Sequence, residues 1–240
     1  TGEAVIQLAA SPALEDYITA RAGENKMWNQ VAEQEVGRLV DGLLNTCLTQ
    51  QKLLEQTMQS SLNVAQDLLK KAGGASLSDT STEKWEAVNQ FTHKKDKIAL
   101  ATMLVGGEPV KKITSFEKPA VLVDEVTSLV GGTCTIFQRM NNQGDMLRIA
   151  TNVKKLDGER AVGTFIPAKN DGKENAVVKA VLSGKVFTGR AFVVNAWYVT
   201  AYAPIYAGKE IIGMLYVGIP EQDNEVLKAL KILLEQEREI

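Results

Sequence analysis

The segment TIFQRMNNQGDMLRIATN, residues 135–152, alternates apolar and polar side chains on both sides of a polar turn. Because successive side chains on a strand point to opposite faces, this pattern predicts a β-hairpin with its turn at NNQG. In that register Phe137 lies opposite Arg148 and Arg139 lies opposite Met146. One face then carries both arginines in a mixed set: Thr133, Thr135, Phe137, Arg139, Met146, Arg148 and Ala150. The other face is apolar and is expected to bury against a helix: Ile136, Leu147 and Ile149.

The two arginines raise the question of what balances their charge. Diagonal neighbours on one sheet face are about 7–8 Å apart, so two cations there favour either an anion between them or solvation of both. Arg139, near the hairpin end, fits a solvent-facing position, whereas Arg148, in mid-strand, fits a buried or pocket-edge position. A buried guanidinium needs a partner. That partner is either a ligand or an internal carboxylate, for which Asp124 and Glu125 are the candidates.

The sequence on both sides of the hairpin predicts the rest of a sheet. KWEAVNQFT and KIALATMLV read as strands before it, and VFTGRAFVV, AWYVTAYAPIY and EIIGMLYVGI read as three consecutive strands after it. PAVLVDEVTSLVGG and ENAVVKAVLSGK read as short helices, with a long loop at 153–172 between hairpin and second helix. Tyr198, Thr200 and Tyr202 fall on one strand face. They fit either half-buried amphipathic residues or the hydroxyl-bearing wall of a pocket.

A long amphipathic helix is predicted ahead of the sheet. Residues 14–72 contain no proline, and apolar side chains recur there at spacings of three and four. The stop signal is KKAGGASLSD, with lysines in the last turn and two glycines after it. Residues 221–240 again read as a helix. The predicted class is therefore α+β in a single domain: helix and connector at 1–84, sheet module at 85–220 and exit helix at 221–240.

Composition argues against several kinds of function. Net charge is −2 without a basic block, so no nucleic-acid partner is expected, and no run of about 18 apolar residues is present. His93 is the only histidine and lies beside lysines, so a catalytic triad or metal cluster is not expected. Cys47 and Cys134 match no metal spacing and are expected to be free thiols. With no P-loop or hydrolase motif either, we predict neither an enzyme nor a bound cofactor or metal.

Six segments together carry a family resemblance: WEAVNQFT, VDEVTSLVGGTCTIFQRM, GDMLRIATNVKK, RAVGTFIPA, GRAFVVNAWYVTAYAPIY and IIGMLYVG. In this order, over residues 85–220, they resemble the Cache sensory domains of bacterial methyl-accepting chemotaxis proteins, specifically the fused Cache 3/Cache 2 type. The resemblance implies a PAS-like antiparallel sheet with the long helix on one face and a ligand pocket on the other. It implies a sensor rather than a catalyst.

The resemblance also implies a binding site on residues of the predicted strands. Its members are Phe137, Arg139, Arg148, Tyr198 and Tyr202, with Thr164 and Phe165 in a loop that folds over the pocket as a lid. The amine-binding signature of two-module Cache sensors is not apparent, because no aspartate closely follows the tyrosine strand. This favours a plain small organic anion, such as the short carboxylate acetate, over an α-amino acid.

The resemblance finally implies a cellular context. Such domains hang from one transmembrane helix and feed a second, so we expect a periplasmic module that meets the membrane only through segments outside this chain. The long helix is expected to pair with a second copy. A ligand-free dimerisation or relay module, and the sensor of a histidine kinase or cyclase, remain alternatives. The sequence leaves open the identity of the ligand, its attractant or repellent sense and the output domain.

Overall fold

A computed structural model of the chain describes residues 26–221. The start of the predicted long helix, at 14–25, and residues 222–240 of the predicted exit helix lie outside the described residues. The chain divides into two compact units, with the boundary between residues 54 and 55, and the sheet belongs to the second unit. No helix within 26–221 is long and apolar enough to cross a membrane.

Helix α1 spans Lys26–Lys71 and ends at the predicted glycines. Lys70 and Lys71 lie in its last turn, where a cation complements the helix dipole. In the second compact unit the helix buries one stripe at spacings of four, three and four: Met58, Leu62, Ala65 and Leu69. This stripe packs against the sheet, as an amphipathic helix requires. In the first unit, several leucines of the helix are exposed: Leu39, Leu48 and Leu53.

The sheet is mostly antiparallel and follows the predicted strands closely. Its strands are β1 (Ala75–Asn89), β2 (Lys95–Val105), β3 (Glu108–Pro109), β4 (Thr133–Arg139), β5 (Met146–Thr151), β6 (Thr164–Ile166), β9 (Phe187–Val193), β10 (Ala196–Ala207) and β11 (Glu210–Pro220). The order across the sheet is β3-β2-β1-β6-β5-β4-β11-β10-β9, and the single parallel pair is β1 with β6. A separate small hairpin joins β7 (Lys169–Asn170) to β8 (Lys173–Glu174).

Two short helices are inserted as predicted. Helix α2 spans Val121–Val130, directly after Pro119 and Ala120. Helix α3 spans Ala176–Leu182, and the Asn175 side chain caps it by accepting hydrogen bonds from the amides of Val177 and Val178. An asparagine in this position satisfies amides that have no partner inside the helix. The observed class is therefore α+β, with a long helix, a large sheet and inserted short helices.

The hairpin register of the opening segment is confirmed. Phe137 pairs with Arg148 and Arg139 pairs with Met146, with the turn at 141–144. One prediction within it is wrong: Ala150 packs with the helix-side residues instead of the arginine face. The reason is a bulge, because Ile136 pairs with Ala150 while the next residue, Phe137, pairs with Arg148. Ile149 is the extra residue, and it shifts the alternation of faces beyond it.

Two other segments differ from prediction. Strand β1 begins at Ala75, well before KWEAVNQFT, so the predicted division between residues 84 and 85 falls inside it. The region 153–172 is not a continuous loop, since it contains β6, which pairs with both β1 and β5, and also β7. Thr164 and Phe165, predicted to lie in a lid loop, therefore lie in the buried strand β6.

Candidate functional site

The two faces of the sheet bury two separate clusters of side chains. The helix-side cluster contains the buried stripe of α1 together with Ile136, Leu147 and Ile149. The opposite cluster, which we call the aromatic cluster, includes Phe137, Met146, Val177, Val178, Val181, Tyr198, Tyr202, Met214 and Tyr216. Alternate residues of β4 and β5 belong to the two clusters, as side-chain alternation along a strand requires. Arg148 stacks on Phe137 and therefore lies with the aromatic cluster.

Arg148 is the most unusual side chain of this face, because it is a cation with no exposed surface. Its Nη1 donates to the Thr164 hydroxyl at 2.8 Å and its Nη2 donates to Oε1 of Gln90 at 2.9 Å. The guanidinium carbon lies 4.9 Å from the centroid of the Phe137 ring. Its Nε is buried and has no hydrogen-bond partner. Within 26–221, then, every hydrogen-bond partner of this cation is neutral.

Neither predicted internal carboxylate reaches Arg148. Asp124 pairs with another buried arginine, Arg160, whose Nη1 and Nη2 each donate to one carboxylate oxygen at 2.8 Å. Glu125 is exposed on α2. Burial lowers the pKa of the Arg148 guanidinium, while the nearby phenols, Tyr202 first, act to raise it. The structure thus leaves open the ligand alternative for Arg148 and removes the internal-carboxylate alternative for the described residues.

Tyr202 supplies a second buried polar atom without a partner. The side chain is fully buried on β10, and its hydroxyl makes no hydrogen bond. Its ring lies 4.9 Å from the ring of Tyr216 and 6.4 Å from that of Phe137, measured between centroids. Burial raises its pKa, so the phenol is neutral and can donate a hydrogen bond. Buried polar atoms in folded proteins nearly always have partners, so Nε of Arg148 and the hydroxyl of Tyr202 are exceptions among the described residues.

The other hydroxyls of this face are already engaged. Tyr216, fully buried, shares a 3.0 Å hydrogen bond with the Thr133 hydroxyl. Thr200 donates to the carbonyl of Gly189 at 2.7 Å. Tyr198 is buried in the aromatic cluster, where its phenol acts to raise the pKa of the Arg148 guanidinium. Among the buried side chains that the structure describes, Arg148 and Tyr202 are therefore the two with an unpartnered polar atom.

Sequence comparison shows the family to which this fold belongs. A family model for the Cache 3/Cache 2 fusion domain matches residues 24–237. The chain belongs to the Cache 3/Cache 2 fusion family. This confirms the predicted Cache-type extracytoplasmic sensory domain with a single PAS-like module. Comparison with curated proteins and with solved structures gives no significant match.

Cache domains are sensory, ligand-binding and typically extracytoplasmic, and they are not catalytic. Of the residues predicted to form the Cache pocket, the structure brings several to one face. These are Phe137, Arg148, Tyr198 and Tyr202, with Thr164 hydrogen-bonded to the arginine. Their contact with a ligand stays a prediction.

Two predicted pocket residues are placed elsewhere in the Cache fold. The guanidinium of Arg139 turns back on its own hairpin, where Nε donates to the carbonyl of Asn141 at 3.0 Å and Nη2 to that of Asn142 at 3.2 Å. Phe165 packs in the helix-side cluster, where it pairs with Leu147. In the short strand β6, Thr164 points to Arg148 and the next side chain therefore points to the opposite face.

Two site residues were missed by sequence reasoning. Tyr216 pairs directly with Tyr202 across β10 and β11, and the alternation in MLYVG contained that signal. Gln90 lies just beyond β1, and its position beside Arg148 depends on how distant strands meet, for which the sequence offers no local signal. Helix α3 also covers this face, through Val177, Val178 and Val181.

Proposed function

We propose that this Cache module is the periplasmic sensor of a transmembrane chemoreceptor and that it binds a small organic anion, a short carboxylate such as acetate, against Arg148. The proposal rests on the fully buried guanidinium of Arg148, whose hydrogen-bond partners among the described residues are all neutral. A bound anion supplies the missing countercharge.

The energetics favour an anionic ligand over a neutral one. An uncompensated buried ion costs several kcal/mol even after local relaxation. A hydrogen bond to a charged group stabilises by about 1.5–3 kcal/mol, so a carboxylate that accepts from Arg148 and Tyr202 offsets much of that cost. A ligand of roughly four non-hydrogen atoms gains at most about −6 kcal/mol, which corresponds to a Kd in the tens of micromolar.

The surroundings of Arg148 limit the kind of anion. The aromatic cluster is composed of aliphatic, thioether and aromatic side chains, and its residues include no carboxylate. An α-amino acid would bring an ammonium group, which needs a carboxylate or several carbonyl acceptors. A monoanion with a short apolar tail matches one guanidinium, one free phenol and apolar walls. This supports a plain carboxylate over an amino acid.

Binding is proposed to act on the terminal helices. The anion alters the sheet around Arg148, and the change passes to α1 on the opposite face and to the chain beyond Pro220. It shifts the two signalling states only by its difference in affinity for them. The exposed leucines of α1 (Leu39, Leu48 and Leu53) support pairing with a second copy. The sensor of a histidine kinase or a cyclase is the alternative context, and it would use the same site.

A second candidate is a dimerisation or relay module that takes no ligand. One observation favours it: Thr164 and Gln90 already bind both terminal nitrogens of Arg148, and the neighbouring rings pack closely. In that case the protein functions with Arg148 bound to Thr164 and Gln90, and no ligand enters the site. Small carboxylates then leave the stability of the protein unchanged.

Titration calorimetry distinguishes the two candidates. Acetate and propionate are expected to bind the wild-type chain, with sodium chloride at equal ionic strength as the reference. Arg148→Ala is expected to abolish binding with the fold intact, and Tyr202→Phe to weaken it about tenfold, which corresponds to one hydrogen bond. Arg139→Ala is the matched control, because its guanidinium caps the hairpin turn. Normal binding by Arg148→Ala contradicts the site, and the absence of any binding to wild type favours the relay module.

A further inference from the structure

Gln90 connects the buried arginine to the far edge of the sheet. Its side chain is almost fully buried, just beyond the end of β1. Oε1 accepts from Nη2 of Arg148 at 2.9 Å, and Nε2 donates to the carbonyl of Phe192 on β9 at 3.3 Å. In the strand order β9 is an edge strand, separated from β1 by five other strands. One amide group therefore joins Arg148 to the edge strand, which also reaches the aromatic cluster through Val193 and the ring of Phe187.

Strand β9 in turn forms a salt bridge with the residue that follows the last strand, β11. Arg190, two residues before Phe192, forms a bidentate salt bridge with Glu221, in which Nη2 donates to Oε2 at 2.9 Å. Glu221 directly follows Pro220, the last residue of β11. The Arg190 guanidinium also lies 4.1 Å from the ring centroid of Trp197. Contacts thus run without a break from Arg148 through Gln90 and β9 to Glu221.

We propose that Gln90 is a positioning residue that holds Arg148 without neutralising it and transmits the state of that arginine to β9 and Glu221. Its planar amide has an acceptor at one end and a donor at the other. When the arginine moves, the amide turns, and its bond to the Phe192 carbonyl changes at the same time. A glutamate in this place would pair with the arginine and occupy the position of an anion.

The link between Arg148 and β9 can be tested without any ligand, by hydrogen–deuterium exchange of the peptides that cover 187–193. Gln90→Met and Arg148→Met are each expected to raise exchange in β9 several-fold. Gln138→Met is the matched control, since Gln138 is equally buried and its Nε2 donates to the carbonyl of Ala101, on β2. If Gln90→Met raises β9 exchange but Arg148→Met leaves it unchanged, Gln90 only closes the edge of the sheet and the proposal is overturned.

A second arm rests on the proposed function and uses acetate as the probe. In wild type, acetate is expected to change exchange in β9, whereas Gln90→Met binds acetate in calorimetry without that change. Gln90→Glu, with the fold intact by circular dichroism, is expected to lose at least tenfold in acetate affinity. An unchanged affinity in Gln90→Glu, or a β9 response that persists in Gln90→Met, contradicts the role of Gln90. Failure of acetate to bind wild type contradicts the proposed function instead, and the ligand-free arm then decides the role of Gln90.

Discussion

Replacing Arg148 by methionine is expected to separate ligand binding from folding. Methionine keeps an unbranched, flexible side chain in the aromatic cluster but removes the charge and all of its donors. In the wild type, burial of the cation costs several kcal/mol, and its two hydrogen bonds return about 1.5–3 kcal/mol each. These contributions nearly cancel, so the arginine adds little to the stability of the ligand-free protein.

The substitution leaves a small, definable cost. Oε1 of Gln90 loses its donor, which costs about 1–3 kcal/mol if no other donor replaces it. The Thr164 hydroxyl loses less, because it still donates to the carbonyl of Ala161 at 2.8 Å. We therefore expect the free energy of unfolding of Arg148→Met to lie within about 2 kcal/mol of the wild-type value when no anion is present.

The effect of acetate should differ sharply between the two proteins. At a concentration one hundred times Kd, a ligand that binds only the native state stabilises it by about 2.7 kcal/mol. In a domain of 150–250 residues this raises Tm by roughly 5–11 °C. Wild type is expected to show that rise in differential scanning fluorimetry with sodium acetate against sodium chloride, and Arg148→Met is expected to show none.

Arg139→Met is the matched control and should respond to acetate as wild type does. Two results would refute the reasoning. A loss of more than about 4 kcal/mol in ligand-free Arg148→Met would mean that the arginine is chiefly structural. A full acetate response in that variant would mean that the anion binds elsewhere.

Three further predictions test other parts of the fold. Gly106→Ala is expected to lower the free energy of unfolding in urea by about 2 kcal/mol or more. The reason is that φ is +59° and the new Cβ would lie 1.9 Å from the carbonyl oxygen of Ala72, just after α1. A change below about 0.5 kcal/mol contradicts this packing. Burial raises the pKa of the Cys134 thiol to about 12, so this thiol is protonated at pH 8. Mass spectrometry should show that iodoacetamide labels the partly exposed Cys47 and leaves Cys134 unlabelled until the protein unfolds. Asp124→Asn leaves a buried guanidinium without its carboxylate and should cost about 3 kcal/mol in the same urea assay; an effect as small as that expected for Arg148→Met would contradict it.

The fold was predictable where side-chain patterns report on it directly. Alternation around NNQG placed Phe137 opposite Arg148, and spacings of three and four identified the long helix. The first half of β1 was missed because ASLSDTSTE is polar, and that segment is a strand through its backbone pairing with β2. Strand β6 was missed because it has three residues and owes its existence to two neighbouring strands. Backbone pairing between distant segments leaves little trace in local sequence.

The candidate site was predictable only as far as strand parity extends. Parity placed Arg148 and Phe137 on one face, and the family resemblance added Tyr202 to the site. Parity did not reveal the bulge at Ile149, which moves Ala150 to the opposite face. It also placed Arg139 on the arginine face, whereas a flexible side chain at a hairpin end can turn to nearby carbonyl groups. The hydrogen bond between Gln90 and Arg148 depends on the pairing of β6 with both β1 and β5, which no single segment encodes.

Two buried arginines of this chain differ in how their charge is balanced. Arg160 is equally inaccessible, with 2% of its side chain exposed, and the fold satisfies it completely. It has a bidentate carboxylate in Asp124 and further acceptors in the carbonyls of Ser115 and Thr151. Arg148 has two neutral acceptors and a buried Nε without a partner. The fold therefore neutralises one buried guanidinium internally and leaves the other without a countercharge among the described residues, and this contrast supports the proposed anion at Arg148.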